Sequence, residues 1–407
     1  AKAAEDPEKI ATNEELYLTG MHIEQYRHAT YRPDPYYLEG LKRDPGDIRI
    51  NTSYGLLLLR RGLFKESETY FRKAVERSIE RNPNPYISEA YYDLGLSLFN
   101  QERYEEAFDA FYKATWSNEQ QEMSYYYLAV IAAGKQDYEE ALGYVEKGLV
   151  KNMHNIKARG LKAVLLGKLG REEERREWLK ANISLDPFDY MSRMEADPKK
   201  RQEIFGMMRY NPDAILLLAA DYAESGFWAE AAAVLEDSGV SHPMISYYLA
   251  YYRAKLGDEK AAADALRAAA ADPGYYCFPN RLEDITVLEW AADQNKDDAK
   301  ARYYLGCLWY DKYQYKKARK LWERSSEIDP KFPTVWRNLS LVYFNKTQEF
   351  EKARSAMEKA FHLDETDARI LLELDQLYKK LGMPFEKRLE LYESHKDIIT
   401  ERDDVML

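Results

Sequence analysis

The stretch 88–115 carries the clearest pattern of hydrophobic and polar positions in the chain. Its apolar residues recur every three or four positions in two segments on either side of a polar turn at 101–102. This spacing predicts two amphipathic helices joined by a short connection. Two small residues, Gly95 and Ala107, fall where the apolar stripes cross, so the helix axes can approach to about 8–10 Å. The larger apolar positions are Tyr91, Leu94, Leu98, Tyr104 and Phe111.

Variants of this pattern recur along nearly the whole chain, most of them about 34 residues apart. Both halves of the unit repeat, because each small position has equivalents further along. The position of Gly95 is held by Gly55, Gly95, Ala129, Ala163, Ala219, Ala250, Gly306, Ser340 and Asp375. The position of Ala107 is held by Ser67, Ala107, Ala141, Ala231, Ala262, Ala318 and Ala353. Arg175 interrupts the second series, which predicts looser packing in the fourth repeat.

The repeat pattern also predicts where the array is interrupted and where it ends. The steps from Ala163 to Ala219 and from Ala250 to Gly306 are each 56 residues long, and they predict inserted helices at 198–208 and 281–293. A helical pair at 14–28 and 34–41 is expected to cap the first repeat. Helix starts are predicted at Asp-Pro or Asn-Pro pairs, where the first residue can cap and proline can follow. These pairs begin at Asp44, Asp186, Asn211, Asp272 and Asp329.

The order of residue types in the unit resembles the tetratricopeptide repeat, a helix-turn-helix of about 34 residues. The resemblance implies an all-α, right-handed superhelix of about nine helical pairs with two inserted helices. We expect six parts along the chain. They are a cap at 1–45, four repeats at 46–196, an inserted helix with two repeats at 197–273, an inserted helix at 274–298, three repeats at 299–396 and the start of a truncated helix at 397–407.

Composition and motifs argue against several classes of function but do not identify a ligand. The formal net charge of -11 disfavours nucleic-acid binding, which usually needs a basic patch. No apolar run approaches the roughly 20 residues that span a bilayer, and no signal peptide is visible, so a cytoplasmic protein is expected. The chain has no HExxH, no glycine-rich phosphate loop and no GxSxG. Since its six histidines are scattered over different repeats, we expect no metal, no cofactor and no catalytic residue.

The unusual feature is aromatic content, with 34 tyrosines, 14 phenylalanines and 7 tryptophans. In tetratricopeptide arrays the first helix of each pair lines a concave groove at defined repeat positions. Those positions here hold mostly aromatic residues, which are typical anchors for a bound peptide or domain. The alternative is that these rings fill space between helices. The predicted groove residues are Tyr92, Phe99, Tyr126, Tyr247, Tyr251, Tyr303, Tyr310, Arg337 and Phe344.

The resemblance also disfavours one known binding mode. Family members that bind acidic carboxyl termini hold them with Lys and Asn at the fifth and ninth repeat positions. Here these positions hold Tyr92 with Leu96, and Tyr303 with Cys307. Because that clamp is missing, an acidic carboxyl-terminal peptide is not the expected ligand.

Four longer segments, 18–47, 82–116, 275–291 and 328–345, resemble large bacterial tetratricopeptide proteins whose amino-terminal half is a β-rich domain of unknown function. The resemblance implies that this chain is their carboxy-terminal helical half. We therefore expect a non-catalytic scaffold that binds a protein segment, or the β-rich domain of the same polypeptide, through the aromatic groove. The alternative is the accessory half of a larger carbohydrate-active enzyme, in which the same tyrosines contact a carbohydrate.

Overall fold

The computed structural model describes residues 4–26, 30–273 and 276–399, and within these ranges all regular secondary structure is helical. Packing divides the chain into two compact units, Ala1–Val240 and Ser241–Leu407. Each unit is built from consecutive helical pairs. None of the helices in the described ranges combines the length and the apolar character that a bilayer-spanning segment requires.

The first unit begins with a pair at the position of the predicted cap, continues with four further pairs, and then reaches the first insertion. The cap pair is α1 (Asn13–Gln25) and α2 (Asp34–Arg43). The four pairs are α3 (Ile48–Arg60) with α4 (Phe64–Ile79), α5 (Glu89–Phe99) with α6 (Tyr104–Ala114), α7 (Gln121–Gly134) with α8 (Tyr138–Lys151), and α9 (Ile156–Lys168) with α10 (Glu172–Leu185). The insertion holds the short helices α11 (Tyr190–Ala196) and α12 (Arg201–Met207), and the unit ends with α13 (Pro212–Glu224) and α14 (Trp228–Ser238).

The second unit contains four pairs and the second insertion. Its first pair is α15 (Pro243–Lys255) with α16 (Glu259–Ala271), followed by the inserted α17 (Leu282–Gln294). The remaining pairs are α18 (Ala299–Asp311) with α19 (Tyr315–Ile328), α20 (Pro333–Val342) with α21 (Phe350–Leu363), and α22 (Ala368–Lys380) with α23 (Phe385–Glu393). A π-helical turn, Tyr343–Thr347, extends α20, and α24 (Lys396–Ile399) closes the described chain.

The predicted all-α architecture of helical pairs is confirmed, and the described residues contain nine pairs besides the cap. The helix predicted at 198–208 is present as a 3-10 turn that leads into α12, and the additional short helix α11 precedes it. The predicted end of the first helix, at 28, and the predicted residues 400–407 of the truncated helix lie outside the described residues.

The predicted helix cap is present at one of the Asp-Pro and Asn-Pro pairs. At three others the first residue of the pair does not cap the helix. Asn211 caps α13, because its side chain accepts the amides of Asp213 and Ala214 and Pro212 takes the first helical position. Asp44, Asp186 and Asp329 instead accept the amide two residues further on, at 2.8–3.0 Å. They therefore form turns before the helix. The helix itself is capped three residues later, by Asp47 in α3 and by Asp189 in α11.

An aromatic ring on the second helix lies directly over a glycine on the first helix in several pairs. A Cβ at Gly95 would be 2.6 Å from Cε1 of Phe111, and a Cβ at Gly55 would be 2.6 Å from Cε1 of Phe71. Both rings are completely buried, as is Ala107. The two helices can therefore close on each other only because the crossing point has no side chain. The predicted need for small residues at this crossing has this physical cause.

We expect Gly95→Ala to destabilise the protein by up to about 2 kcal/mol. The added methyl forces the rigid Phe111 ring to move, and such overpacking costs about 1–3 kcal/mol, which exceeds the gain in helix propensity of about 1 kcal/mol. The measurement is the free energy of unfolding from chemical denaturation.

The control for this substitution is Gly143→Ala in α8. A Cβ at Gly143 meets no atom within 4 Å, so only helix propensity acts, and alanine should stabilise by about 0.5–1 kcal/mol. The same chemical change should thus have opposite signs at the two positions. Equal effects at both would show that the crossing is not tightly packed.

Candidate functional site

The nine predicted groove residues all lie on the first helices of their pairs or on the π-helical turn that extends α20. Tyr92, Phe99 and Tyr126 belong to the first unit, and the other six belong to the second. They differ in exposure. Tyr126, Tyr247 and Tyr251 are buried, with 3%, 0% and 8% of their surface exposed. Tyr92, Phe99, Tyr303, Tyr310, Arg337 and Phe344 are half-buried.

In the first unit, Tyr92 and Phe99 of α5 belong to one aromatic cluster. Its centre is Tyr127 of α7, whose ring stacks on Phe111 with centroids 4.8 Å apart and planes 7° apart. The rings of Phe99 and Tyr92 lie 5.3 Å and 6.3 Å from that of Tyr127. The sequence prediction missed Tyr127 because it considered only the groove positions. Tyr127 occupies the neighbouring position, which faces the preceding repeat.

Tyr126 is held by a distant part of its own unit. Its hydroxyl donates to Oε2 of Glu224, at the end of α13, over 3.0 Å. Burial, followed by the charge of Glu224, raises the pKa of the Tyr126 hydroxyl well above its usual range. The turn after α13 also lies against the end of α7, because a Cβ at Gly226, with φ +78°, would be 2.9 Å from the Cα of Gly134. The part of the predicted groove on α7 is therefore filled by the chain itself.

The same is true of α9, the first helix of the fourth pair. Lys157 forms an ion pair with Asp221 of α13 at 2.7 Å, and Lys168 forms one with Glu230 of α14. A Cβ at Gly160 would be 2.6 Å from Sδ of Met191 in α11. The helices at and after the first insertion thus cover α9, and α5 is the part of this inner face that keeps half-buried aromatic residues at groove positions.

Arg175, which interrupts the alanine series, has a polar function in the fourth pair. Its side chain lies against Gly167, where a Cβ would be 3.1 Å from Nε, and its guanidinium reaches Glu195 of α11 at 2.7 Å. Glu195 also accepts the hydroxyl of Tyr222, which donates over 2.7 Å. The apolar contact of the other pairs is therefore replaced by a charged link from α10 through α11 to α13.

The buried tyrosines of the second unit are also internal contacts. The hydroxyl of Tyr247 donates over 2.9 Å to Asp298, whose other oxygen caps α18 by accepting the amide of Ala301. The ring of Tyr251 lies 5.4 Å from that of Trp290, on the inserted helix α17. Both tyrosines therefore fill space between helices, as the alternative prediction proposed for individual rings.

The four half-buried residues of the second unit each contact a neighbouring side chain. The ring of Tyr303 lies 4.8 Å from that of Phe332, and the ring of Tyr310 lies 4.9 Å from that of Tyr315. Phe344 packs on Phe350 at 5.2 Å. Arg337 makes two hydrogen bonds of 2.5 Å to the carboxylate of Glu373. Arg337 is thus already paired with a carboxylate of its own unit.

Asp93, next to Tyr92 on α5, is a buried acid that sequence reasoning did not single out. Only 3% of its surface is exposed, and its Oδ2 accepts no hydrogen bond from the described part of the chain. Burial, followed by the charge of Glu89, raises the pKa of Asp93 well above its usual range, although Arg60 lowers it. A buried carboxylate without a hydrogen-bond donor is costly to ionise.

A tetratricopeptide repeat family model matches residues 47–115, which contain the pairs α3–α4 and α5–α6. The helical pairs that continue along both units place the chain in the helical-repeat class of proteins. The chain is a tetratricopeptide repeat protein. The narrower resemblance to proteins with a β-rich amino-terminal half stays a prediction.

Three solved structures with helical similarity illustrate how distant the relatives are. A structure of Naa15/Naa10 bound to HypK-THB is 15% identical, with a TM-score of 0.33, over 93% of this chain and 68% of that chain. A tetratricopeptide repeat protein from Parabacteroides merdae is 15% identical, with a TM-score of 0.42, over 65% and 94%. YrrB, described as having an unusual peptide-binding site, is 17% identical, with a TM-score of 0.23, over 57% and 97%. The family assignment rests on the repeat match and the helical pairs, and not on these weak similarities.

The charged link through Glu195 yields a stability prediction. Glu195→Gln should destabilise the protein by about 1–2 kcal/mol, because it weakens the charge-assisted bonds to Arg175 and Tyr222 in a largely buried setting. The measurement is the free energy of unfolding at neutral pH. Glu174→Gln is the control, since Glu174 pairs with Arg171 at an exposed site and its loss should cost below about 0.5 kcal/mol. Similar costs for the two variants would contradict the link.

Asp93 yields a prediction about pH. Its pKa is higher in the folded protein than in the unfolded chain, so the folded state holds the proton more tightly. Stability is therefore lost as the pH rises from about 4, where the unfolded chain ionises, through the folded pKa. Asp93→Asn removes this loss and should stabilise by about 1–2 kcal/mol at pH 7, with a smaller gain at pH 4.

The measurement is the free energy of unfolding of both proteins across this pH range. Asp109→Asn, on the exposed face of α6, is the control and should change stability little at any pH. An Asp93→Asn protein that is less stable than the original at pH 7 would show that the carboxylate has a stabilising partner.

Proposed function

We propose that this chain is a non-catalytic scaffold that binds a protein segment through the inner face of α5, with Tyr92 and Phe99 as anchors. The observation that carries the proposal is the exposure of these two residues. They stay half-buried at groove positions, whereas the equivalent positions on α7 and α9 are covered by α11, α13 and α14. A segment from another protein and one from the same polypeptide would use the same contacts.

The aromatic cluster suits an anchoring role because its rings are already ordered. Tyr92 and Phe99 both pack against Tyr127, and Tyr127 stacks on the buried Phe111. Binding to a preordered ring costs little conformational entropy, so more of the contact energy appears as affinity. A few such aromatic anchors supply most of the binding energy in typical interfaces. The same rigidity supports a scaffold rather than a closing active site.

A display selection with a random peptide library tests this proposal. Peptides enriched on the original protein should lose at least about tenfold in affinity when Tyr92 and Phe99 are both replaced by leucine, because tenfold corresponds to about 1.4 kcal/mol and aromatic anchors usually contribute more. Leucine keeps the apolar volume, and a thermal melt checks that the variant stays folded.

The control is the leucine double variant of Tyr112 and Trp116, two aromatic residues at and just after the end of α6, 49% and 57% exposed. It should retain the affinity of the original protein. Two results would overturn the proposal. The enriched peptides could bind the α5 variant as tightly as the original protein, or their affinity could fall equally for the α5 variant and the control variant.

A further inference from the structure

Several carboxylates surround the Tyr92 ring. Asp93 follows Tyr92 on α5, and Glu89 precedes it by about one helical turn, so the two acids flank the ring on one helix. On the other side, the Tyr92 ring lies 6.3 Å from that of Tyr127, which is 5.5 Å from that of Tyr126. Tyr126 in turn donates to Glu224. The aromatic cluster is thus bordered by acids from both ends.

The hydrogen-bond donors and the cation near these acids have other partners or carry no charge. Glu122, on α7 about one turn before Tyr126, accepts the side-chain amides of Asn152 and Asn155 at 2.7 and 3.0 Å. Amides are neutral donors, so these two hydrogen bonds bring no positive charge to Glu122. Arg60, the cation that acts on Asp93, is itself paired with Glu24.

The same acidic surroundings affect the pKa of the Tyr92 hydroxyl. Its pKa is raised by burial first and then by the charges of Asp93, Glu224 and Glu122. These three acids come from α5, α7 and α13, which agrees with the ring contacts and with the hydrogen bond from Tyr126 to Glu224. Acidic side chains from three helices therefore converge on one half-buried ring.

Asp93 is the second, independent sign of a ligand. It is more than nine-tenths buried, and its Oδ2 has no hydrogen-bond partner among the described residues. A functional role is one of the explanations for a buried polar atom that lacks a hydrogen-bond partner. A cation above the Tyr92 ring would favour the ionised form of Asp93.

We infer that the inner face of α5 at Tyr92, bordered by Glu89 and Asp93, receives an arginine or lysine side chain from a basic protein segment. The face of a tyrosine attracts such a cation, and arginine is especially suited because its planar group stacks on the ring while donating to carboxylates. The net charge of -11 favours the approach of a basic partner over an acidic one. This inference rests on the proposed function and specifies the chemistry of its ligand.

The test measures fluorescence anisotropy with labelled hexaarginine amide, and uses hexaglutamate as the opposite-charge comparison. Hexaarginine should bind saturably in moderate salt and hexaglutamate should not. Asp93→Asn and Tyr92→Leu should each weaken hexaarginine binding about five- to tenfold, since each removes one of the two attractions for the cation. The matched changes on α6, Asp109→Asn and Tyr112→Leu, should alter it less than about twofold.

Asp93→Asn also separates binding from folding, because this variant is expected to be more stable while it binds hexaarginine less tightly. Hexaarginine binding that is absent, unaffected by Asp93→Asn, or weakened equally by Asp109→Asn would overturn the inference. If peptides from the display selection depend on Tyr92 and Phe99 but show no excess of arginine or lysine, the proposed function stands and this inference fails. If none depends on those residues, the proposed function itself fails.

Discussion

Close packing where the two helices of a pair cross is the interaction on which the repeats depend, and it is clearest where an aromatic ring packs against a glycine. At Gly95 the Phe111 ring occupies the space that a side chain would need. Gly55 and Phe71 repeat the arrangement, and Gly306 lies under Trp322 in the second unit. Protein interiors are close-packed, so a methyl group at such a point must displace the ring or separate the helices. In these three pairs the crossing fixes how the helices pack and thereby the faces that the pair presents to its neighbours.

The high tyrosine content has a structural explanation as well as a functional one. Several tyrosines are buried and donate their hydroxyl to a carboxylate on another helix, which satisfies a polar group that burial would otherwise leave unpaired. Tyr126 with Glu224, Tyr222 with Glu195, Tyr247 with Asp298 and Tyr248 with Asp284 are examples, at 2.6–3.0 Å. These bonds join helices far apart in the sequence. They also remove Tyr126 and Tyr247 from the surface that a ligand could contact.

The inner face of α5 combines an ordered aromatic cluster with a buried acid, Asp93. Oδ2 of Asp93 accepts no hydrogen bond within the described residues, whereas the hydroxyl of the buried Tyr126 donates to Glu224. Local conflicts of this kind are expected at functional sites, because a binding surface must keep groups that the folded protein alone does not satisfy.

The sequence by itself determined the helical pairs, their period, the two insertions and the small residues at the crossings. These features depend on spacing within one or two helical turns, where side chains three or four residues apart share a face. Only the tertiary structure decided which predicted groove residues stay accessible. Tyr126 and Glu224 are separated by 98 residues, and nothing local in either segment specifies that they meet. Likewise, Oδ2 of Asp93 has no donor within the described residues because of what the surrounding helices bring to it, and a pattern along one helix does not contain that information.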